Sequence, residues 1–284
     1  MNRRLHTTFG VIAGAATLMT MAVTSTAYAS PGDHQVTHPL TATATAAGLT
    51  AAGGGHPGWM NQATETTSAK PATVAQPLAG TVEGIDVSGY QGNVDWVGYY
   101  NQGKRFAYTK ASEGNYYTNP YFGQQYNGSY NAGFIRGAYH FATPNDTGGA
   151  AQADYFVSHG GGWSRDGKTL PGALDIEYNP YGATCYGLSQ ASMVSWIRDF
   201  LNRYKALTGR DAAIYSTTNW WVSCTGNSAA FGATNPLWIA RYSSTPGTLP
   251  AGWGYYTFWQ YSSTPIDQDR FNGAYDRLQA LALG

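Results

Sequence analysis

The chain has 284 residues, its 16 Lys and Arg side chains balance 16 Asp and Glu, and 14% of its residues are aromatic. A formal net charge of zero argues against a protein that binds nucleic acid through a basic surface. Because the sequence has only two cysteines and no clustered histidines, we expect no metal site and no cofactor.

The first predicted element is a secretory signal over residues 1–29. Two arginines supply the positive start, an apolar run follows over residues 9–23, and the triplet A-Y-A over residues 27–29 matches a cleavage site. The apolar run is too short for a membrane-spanning helix. We therefore expect a secreted, extracellular protein that has no membrane attachment once the signal is removed.

Residues 30–80 form a second predicted segment, which is low in complexity. It contains the run "TATATAAGLTAAGGG", three charged residues, and Trp59 as its single aromatic residue. Such a composition buries too little apolar area to offset the entropy cost of ordering the chain. We expect a pro-segment or a linker rather than a small domain. Because the segment holds no catalytic motif, we expect its removal to leave activity intact.

The remaining residues, 81–284, alternate short apolar runs with helical patterns. The best helix is predicted over 189–207, where apolar residues recur at helical spacing and Gly209 follows as a stop. Weaker helices are expected over 120–132 and 149–159, and long helices are not predicted after the fifth strand. Seven apolar runs predict strands covered on both faces, over 84–88, 105–112, 135–141, 172–178, 212–217, 237–242 and 257–262.

This order of elements predicts an α/β fold with a single catalytic domain. Parallel strands joined by crossover helices, in about 200 residues, favour a barrel or a doubly wound sheet. We favour the barrel because no glycine-rich phosphate-binding loop follows a strand. Cys185 and Cys224 are the only cysteines, and in an exported protein we expect them to form one disulfide.

Two carboxylates stand in the fourth predicted strand, within the run "PGALDIEYNP". Side chains two residues apart on a strand share a face, so Asp175 and Glu177 lie on one side and Leu174 and Ile176 on the other. Burial of two neighbouring carboxyls raises the pKa of at least one, which can then serve as a general acid near neutral pH. The alternative is that the pair forms salt bridges with lysines or caps a helix.

Other strand ends add polar and aromatic side chains. Asp86 ends the first strand, His140 ends the third, and Asp267 follows the seventh, beside Trp259 and Tyr261. In a parallel barrel these ends converge on one mouth. Carboxyls that act on a glycosidic oxygen, together with aromatic rings that stack on sugars, predict a sugar-hydrolysing site there.

The same motifs resemble those of the secreted bacterial muramidases of glycoside hydrolase family 25. The resemblance extends over residues 82–280 and rests on "GIDVSGYQG", "FAYTKASEG", "NAGFIRGAYHF", "LDIEYNP", "FWQYS" and "IDQDRFNG". It implies an irregular TIM-like (β/α)5(β)3 barrel. It also implies a lysozyme that binds the glycan strands of peptidoglycan and hydrolyses the β-1,4 bond between N-acetylmuramic acid and N-acetylglucosamine.

The resemblance assigns roles to single residues. Glu177 matches the catalytic acid and Asp175 its partner, while Asp86 and Asp267 match further acids of the site. Asp269 stands where many members have Asn, so the choice between Asp267 and Asp269 stays open, and we choose Asp267 by motif position. The residues expected to bind substrate along the groove are Lys110, Tyr139, His140, Tyr178, Trp259 and Tyr261.

Alternatives remain for both the mechanism and the function. The attacking group is either the acetamido oxygen of the substrate, oriented by Asp175, or a water activated by Asp86 or Asp267. The function could instead be wall binding without catalysis, against which the full set of carboxylates argues. A third interpretation is chitin hydrolysis, which usually comes with a longer Asp-rich run. We also expect a monomer and tolerance of muramic acid that is O-acetylated at its 6-position.

Overall fold

The structure, a computed structural model, describes residues 39–46, 49, 53–60 and 80–284. The signal predicted over residues 1–29 lies outside the described residues, as does part of the segment predicted over 30–80. None of the helices in the described ranges is long and apolar enough to cross a membrane.

One closed sheet organises the main part of the chain. Its strands, within the described residues, are β1 (Val82–Val87), β2 (Phe106–Glu113), β3 (Tyr117–Thr118), β4 (Ile135–Phe141), β5 (Ala173–Asp175), β6 (Ala213–Ser216), β7 (Leu237–Ala240), β8 (Phe258–Ser262) and β9 (Gln268–Phe271). Neighbouring strands follow the order β1-β9-β8-β7-β6-β5-β4-β2, and β1 also pairs with β2, which closes a barrel of eight strands. The barrel pairs are parallel except those of β9, which runs antiparallel to both β1 and β8. The short β3 extends the sheet beside β2.

Helices alternate with the strands over most of the barrel. In the described ranges they are α1 (Ala42–Ala46), α2 (Trp96–Asn101), α3 (Phe122–Asn131), α4 (Gly149–Phe156), α5 (Gln190–Thr208), α6 (Thr218–Thr225) and α7 (Tyr275–Leu283). Five strand–helix units, from β1–α2 to β6–α6, precede the three strands β7, β8 and β9. This arrangement confirms the predicted irregular (β/α)5(β)3 barrel.

The longest helix forms where the sequence predicts it. α5 begins after Ser189, whose hydroxyl oxygen accepts the backbone N–H of Ser192, and it ends before Gly209. A cap of this kind stabilises a helix by about 1 kcal/mol. The buried face of α5, which includes Trp196 and Phe200, packs against α4 and against outward side chains of the barrel strands.

Six elements of the described residues are not predicted from the sequence, namely α1, α2, α6, α7, β3 and β9. The strand β9 has the polar sequence QDRF, in which Asp269 points into the barrel while Arg270 forms an outward ion pair with Glu83. The apolar run that signals a buried strand is therefore missing from β9. The helix α6 lies in a stretch rich in Ser and Thr, and it begins after Thr217, whose side chain accepts the N–H of Trp220.

Alternation along the strands divides the apolar residues into an inner and an outer core. The inner core is largely aromatic, and in it Tyr108 stacks on Trp238 with ring centroids 4.7 Å apart. Phe106 and Phe258 lie in the same cluster, 5.2 Å apart. Because these rings fill the barrel, the inward polar side chains lie above them, at the carboxyl ends of the parallel strands. We call this end of the barrel, together with the start of β9, the mouth.

The predicted disulfide is present. Cys185 and Cys224 are 39 residues apart in sequence, and their bond joins the loop before α5 to α6. In the chain-entropy description, closing a loop of this length in the unfolded chain stabilises the fold by about 4 kcal/mol. The bond therefore fixes the outer layer next to β5 and β6.

The described residues of the low-complexity segment pack against the barrel. Ala44, Leu49 and Trp59 are buried in one apolar cluster with Phe141 of β4. The indole N–H of Trp59 donates to the carbonyl oxygen of Tyr178 at 2.8 Å. This packing is not what the composition predicts, because the segment alone has little apolar area. It is ordered by the surface that the barrel offers.

Candidate active site

The strand β5 brings two carboxyls to the mouth. Ala173 belongs to the inner core, whereas Leu174 and Ile176 belong to the outer core. Because side chains alternate along the strand, Asp175 and Glu177 share the inward face, as their spacing predicts. Both side chains are fully buried. Within the described residues, neither carboxyl forms an ion pair. The alternative interpretation, in which the pair forms salt bridges with lysines, is therefore not supported.

Glu177 has the environment of a proton donor. Burial raises the pKa of Glu177 well above its usual value, and the neighbouring charge of Asp175 raises it further. Its Oε1 accepts the backbone N–H of Gly58 at 2.8 Å. Its Oε2 accepts no hydrogen bond from the described part of the chain. A carboxyl whose pKa is raised in this way is suited to deliver a proton to a leaving oxygen.

Asp175 lies beside Glu177 with even less support from protein donors. Neither of its carboxyl oxygens accepts a hydrogen bond from a described residue. Burial raises the pKa of Asp175 well above its usual value, while the positive charge of Lys110 lowers it. A buried carboxyl without protein partners is suited to receive a polar group from a bound molecule.

The opposite wall of the mouth is formed by β1, β8 and β9. Because β9 runs antiparallel, its beginning lies at the same end as the carboxyl end of β1, so Asp267 and Asp269 lie close to Asp86. Burial raises the pKa of Asp86 well above its usual value, and the charges of Asp267 and Asp269 raise it further. Burial and mutual repulsion therefore favour the protonated form in part of this cluster.

The two acids of β9 differ in their surroundings. Asp269 is fully buried, accepts the indole N–H of Trp238 at 2.8 Å, and is hydrogen-bonded to Asp86. Burial raises the pKa of Asp269 to about 7, against which the Asp86 and Trp238 hydrogen bonds act. Asp267 keeps 7% of its surface exposed and adds to the field that raises the pKa of Glu177. Asp267 thus lies nearer the open side of the mouth.

A buried amide, Gln260, organises this wall. Its Nε2–H donates to Oδ2 of Asp86 at 2.8 Å, and its Oε1 accepts the hydroxyls of Tyr215 at 2.8 Å and Tyr242 at 3.1 Å. Gln260 stands beside Trp259 and Tyr261 in the sequence, but no role was expected for it. The signal that could have found it is the alternation in "FWQYS", where Phe258 and Gln260 share the inward face.

A buried ion pair forms a third part of the mouth. Nζ of Lys110 lies 2.5 Å from Oε2 of Glu113, and both side chains are fully buried. The hydroxyl of Tyr116 donates to Oε1 of Glu113 at 2.8 Å, and the hydroxyl of Tyr181 donates to the same oxygen. Burial lowers the pKa of Lys110, an effect that Glu113 opposes. Lys110 is therefore placed at the mouth, as the resemblance implies.

His140 does not lie at the mouth, contrary to its predicted place in the groove. Its ring nitrogens contact Oγ of Ser112 at 2.9 Å and Oε1 of Gln152 at 3.0 Å, and the ring stacks on Phe200. Burial lowers the pKa of His140 to about 3, so the ring is neutral. Consecutive strand residues face opposite sides, and because Tyr139 points inward, His140 points outward to the helices.

Trp259 and Tyr261 are also placed differently from the prediction. Trp259 is buried in the outer core and donates its indole N–H to the carbonyl oxygen of Arg241 at 2.9 Å. The hydroxyl of Tyr261 donates to Glu83 at 2.7 Å on the outer side of β1. The inward residue between them is Gln260, so the two rings do not line the catalytic mouth.

The remaining two predicted groove residues lie at or near the mouth. Tyr139 is a member of the inner core, where full burial raises its pKa and the charges of Asp86 and Asp175 raise it further. Tyr178 is half-buried and packs against the cluster that contains Trp59. Tyr139 therefore lies in the inner core near Asp86 and Asp175, and Tyr178 lies where the low-complexity segment contacts the barrel.

A closed α/β barrel with paired buried carboxyls at its mouth is an arrangement suited to a glycoside hydrolase. The chain belongs to Glycosyl hydrolases family 25, whose sequence pattern it matches over residues 85–269. It is 54% identical over 211 residues to the N,O-diacetylmuramidase of Chalaropsis sp, which covers 72% of this chain and 100% of that protein. It is 52% identical over 209 residues to Lysozyme M1 of Streptomyces globisporus, with 71% of each chain covered. The structure of a muramidase from Acremonium alcalophilum is similar with a TM-score of 0.71 and 58% identity, covering 72% of this chain and 99% of that one.

Proposed function

We propose that this protein is a lysozyme that hydrolyses the β-1,4 bond between N-acetylmuramic acid and N-acetylglucosamine in peptidoglycan. The observation that carries the proposal is the pair on β5, in which fully buried Asp175 and Glu177 share the inward face at the mouth. The relatives described as lysozyme and N,O-diacetylmuramidase support this choice of substrate.

In the proposed mechanism Glu177 is the general acid. Burial and the charge of Asp175 raise its pKa and favour the protonated form, which gives its proton to the glycosidic oxygen as the bond breaks. Positioned proton transfer of this kind accelerates a reaction by about 10²–10⁴-fold. Once it has lost its proton, the same carboxylate can take a proton from the water that completes hydrolysis.

Asp175 is proposed to orient the acetamido group of the muramic acid residue. Its carboxyl oxygens accept no hydrogen bond from a described residue, so they can accept the amide N–H of the substrate. The acetamido oxygen then attacks the anomeric carbon, which makes the reaction substrate-assisted. The other route uses Asp86 or Asp267 to activate a water. Asp86 is less suited to that task because it is tied to Gln260 and Asp269.

The acids of the opposite wall are proposed to shape the electric field at the reacting carbon. Asp267 is the one that faces substrate, because it is the more exposed acid of β9 and its charge reaches Glu177. Asp269 instead positions Asp86. Partial ionisation of this cluster stabilises positive charge that develops on the sugar ring in the transition state.

The wider proposals follow the same relatives. We propose that the protein is exported, that it acts outside the cell as a monomer on peptidoglycan, and that it accepts muramic acid O-acetylated at the 6-position. The name N,O-diacetylmuramidase, which two relatives carry, supports the last of these. Because the net charge is zero, recognition of an anionic wall depends on contacts in the groove rather than on long-range attraction.

Product analysis tests the proposed bond directly. The protein is incubated with purified cell walls and, separately, with colloidal chitin, and the new reducing ends are reduced with borohydride. We expect muramitol from walls and no soluble sugar from chitin. Glucosaminitol as the sole new alcohol would move the cut to the other bond. Release of sugar from chitin would favour a chitinase, and wall binding without any new alcohol would favour a binding module. The identity of the product does not depend on the rate.

A further inference from the structure

We propose that residues 53–60, with the sequence GGGHPGWM, inhibit the enzyme by occupying its own catalytic mouth, and that activity requires their displacement or removal. The proposal rests on the proposed function, because it takes the mouth to be the place where glycan binds. It differs from the expectation drawn from the sequence, which was that loss of residues 30–80 leaves activity unchanged.

The segment bonds directly to the proposed acid. The backbone N–H of Gly58 donates to Oε1 of Glu177 at 2.8 Å, and the carbonyl oxygen of Gly58 accepts the hydroxyl of Tyr242 at 3.2 Å. Tyr242 in turn bonds to Gln260, which holds Asp86. A single residue, Gly58, therefore connects both walls of the mouth. A glycosidic oxygen cannot approach the Glu177 carboxyl from the side that this N–H occupies.

The buried ion pair holds the other end of the segment. Nζ of Lys110 donates to the carbonyl oxygens of Gly53, at 2.8 Å, and of Gly55. The N–H of Gly53 donates to Oε1 of Glu113 at 3.2 Å. Backbone amides offer the same C=O and N–H groups as the N-acetyl groups of a glycan strand. The segment thus satisfies buried polar groups of the mouth with substrate-like chemistry, and these hydrogen bonds to charged partners are of the stronger kind.

Apolar contacts anchor the segment beside the mouth. Trp59 is buried against Phe141 and Tyr178, and its indole N–H is bonded to the Tyr178 carbonyl. Further back, the N–H of Thr41 donates to the carbonyl oxygen of Pro180 at 2.8 Å. Because the anchor is covalently linked to the inhibitory residues, they face the mouth at a high effective concentration.

The glycines of the segment fit this place for a steric reason. Gly53 has φ +83° and a Cβ there would overlap with the ring of Tyr117. Gly58 has φ +68° and a Cβ there would overlap with the hydroxyl of Tyr242. The glycine-rich composition, which indicates a linker in the sequence, therefore also allows the backbone of the segment to approach the catalytic groups closely.

The relatives are consistent with a barrel that is complete without this segment. The whole of the Chalaropsis relative and nearly all of the Acremonium structure correspond to 72% of this chain. The barrel domain over residues 81–284 makes up about that share. The segment is thus an addition to the catalytic unit, which is what an inhibitory element must be.

The test compares full-length chains on cell walls. In the double variant Gly53→Ala and Gly58→Ala, two methyl groups collide with Tyr117 and Tyr242, which expels the segment without changing the barrel. We expect wall lysis to become about tenfold faster or more, since one forced overlap weakens docking by a factor of that order. The matched control is Gly103→Ala with Gly187→Ala, where φ is also positive, at +95° and +74°, but a Cβ meets no neighbour.

A synthetic peptide of residues 39–60, added to the double variant, should slow lysis again, while a scrambled peptide should not. Thermal unfolding confirms that each variant is folded. Equal rates for the double variant and the unchanged chain, with both folded, would overturn the inhibition and leave the proposed function standing. Muramitol from neither form would overturn the proposed function, and with it any hydrolysis to inhibit. The two failures are therefore distinguishable.

Discussion

The two walls of the mouth carry similar acids in different surroundings. On the β5 wall, Asp175 receives no hydrogen bond from a described residue, and Glu177 receives one from the segment and none from the barrel among those residues. On the opposite wall, Asp86 and Asp269 are bound to each other, to Gln260 and to Trp238. We therefore propose that Asp175 and Glu177, which lack barrel partners, perform the chemistry, and that Asp86 and Asp269, which are held by Gln260 and Trp238, position the rest of the site.

The largest effect is expected from Glu177→Gln. Glutamine keeps the shape of the side chain but has no acidic proton, so the rate of wall lysis should fall by about 10²-fold or more. The measurement uses the background in which Gly53 and Gly58 are alanine. The control is Glu83→Gln on the outer face of β1, which loses an ion pair with Arg270 and should cost stability rather than activity. Near-normal lysis by folded Glu177→Gln would contradict the assignment of the acid.

Asp175→Asn should be nearly as damaging and should also change the pH profile. The charge of Asp175 is one cause of the raised pKa of Glu177, so removing that charge lowers it. Because Glu177 acts in its protonated form, activity is lost as pH rises through its pKa, and this alkaline limb should move to lower pH. The measurement is the rate against pH in the same background. An unshifted alkaline limb would show that Asp175 does not act on Glu177.

A smaller difference should separate the two acids of β9. Asp267→Asn should reduce the rate by about tenfold, the size expected for loss of one electrostatic contact worth about 1.4 kcal/mol. Asp269→Asn should have a weaker effect on the rate but a clear effect on stability. The pKa of Asp269 is raised to about 7 in the fold, so its contribution to stability is present below about pH 4 and lost as pH rises to 7.

Thermal unfolding between pH 4 and pH 8 measures that contribution. In Asp269→Asn, the melting temperature should decrease less as pH rises than it does in the unchanged chain. If Asp269→Asn abolishes activity while Asp267→Asn is silent, the assignment within "IDQD" is reversed.

The smallest expected effect concerns the segment that joins the two walls. Burial lowers the pKa of His56 to about 4 in the docked segment, whereas a free histidine titrates near 6.5. The free segment therefore binds a proton that the docked segment does not, and docking weakens as pH falls from 6.5 to 4. The surrounding groups are the ring of Tyr90 at 5.2 Å, the Pro57 carbonyl, and the charges of Lys110 and Glu113.

Acid should thus release part of the inhibition as pH falls from 6.5 to 4, by no more than the two alanine substitutions release. The measurement is the ratio of rates, at each pH, between the chain with and without the two alanine substitutions, which cancels the pH dependence of catalysis. His56→Phe keeps a ring against Tyr90 and removes the titration, so its ratio should stay constant. An equal acid response in His56→Phe would assign the release to another group.

Much of the fold follows from local patterns in the sequence. The helix α5 has the 3.6-residue apolar spacing and both end signals, and its predicted bounds, 189–207, agree with Gln190–Thr208. Seven strands have enough apolar residues to be recognised. β9 does not, because its inward residue Asp269 belongs to the polar mouth and its outward residue Arg270 pairs with Glu83.

The shared face of Asp175 and Glu177 could be read from the sequence alone, because the period of a strand is two residues and does not depend on what surrounds it. It could not decide which residues of β8 or β4 face inward. That choice, which placed Gln260 at the mouth and turned Trp259, Tyr261 and His140 away, depends on how each strand is rotated in the closed barrel.

The position of residues 53–60 depends entirely on contacts with the folded barrel. A stretch of glycines has no preferred partner in its own composition, and its order comes from the groups that the barrel presents to it. Those groups are charged or buried: Glu177, Lys110 and Glu113 take up the backbone N–H and C=O groups of the segment. Because backbone polar groups are common to every residue, such a contact leaves no signature in the sequence.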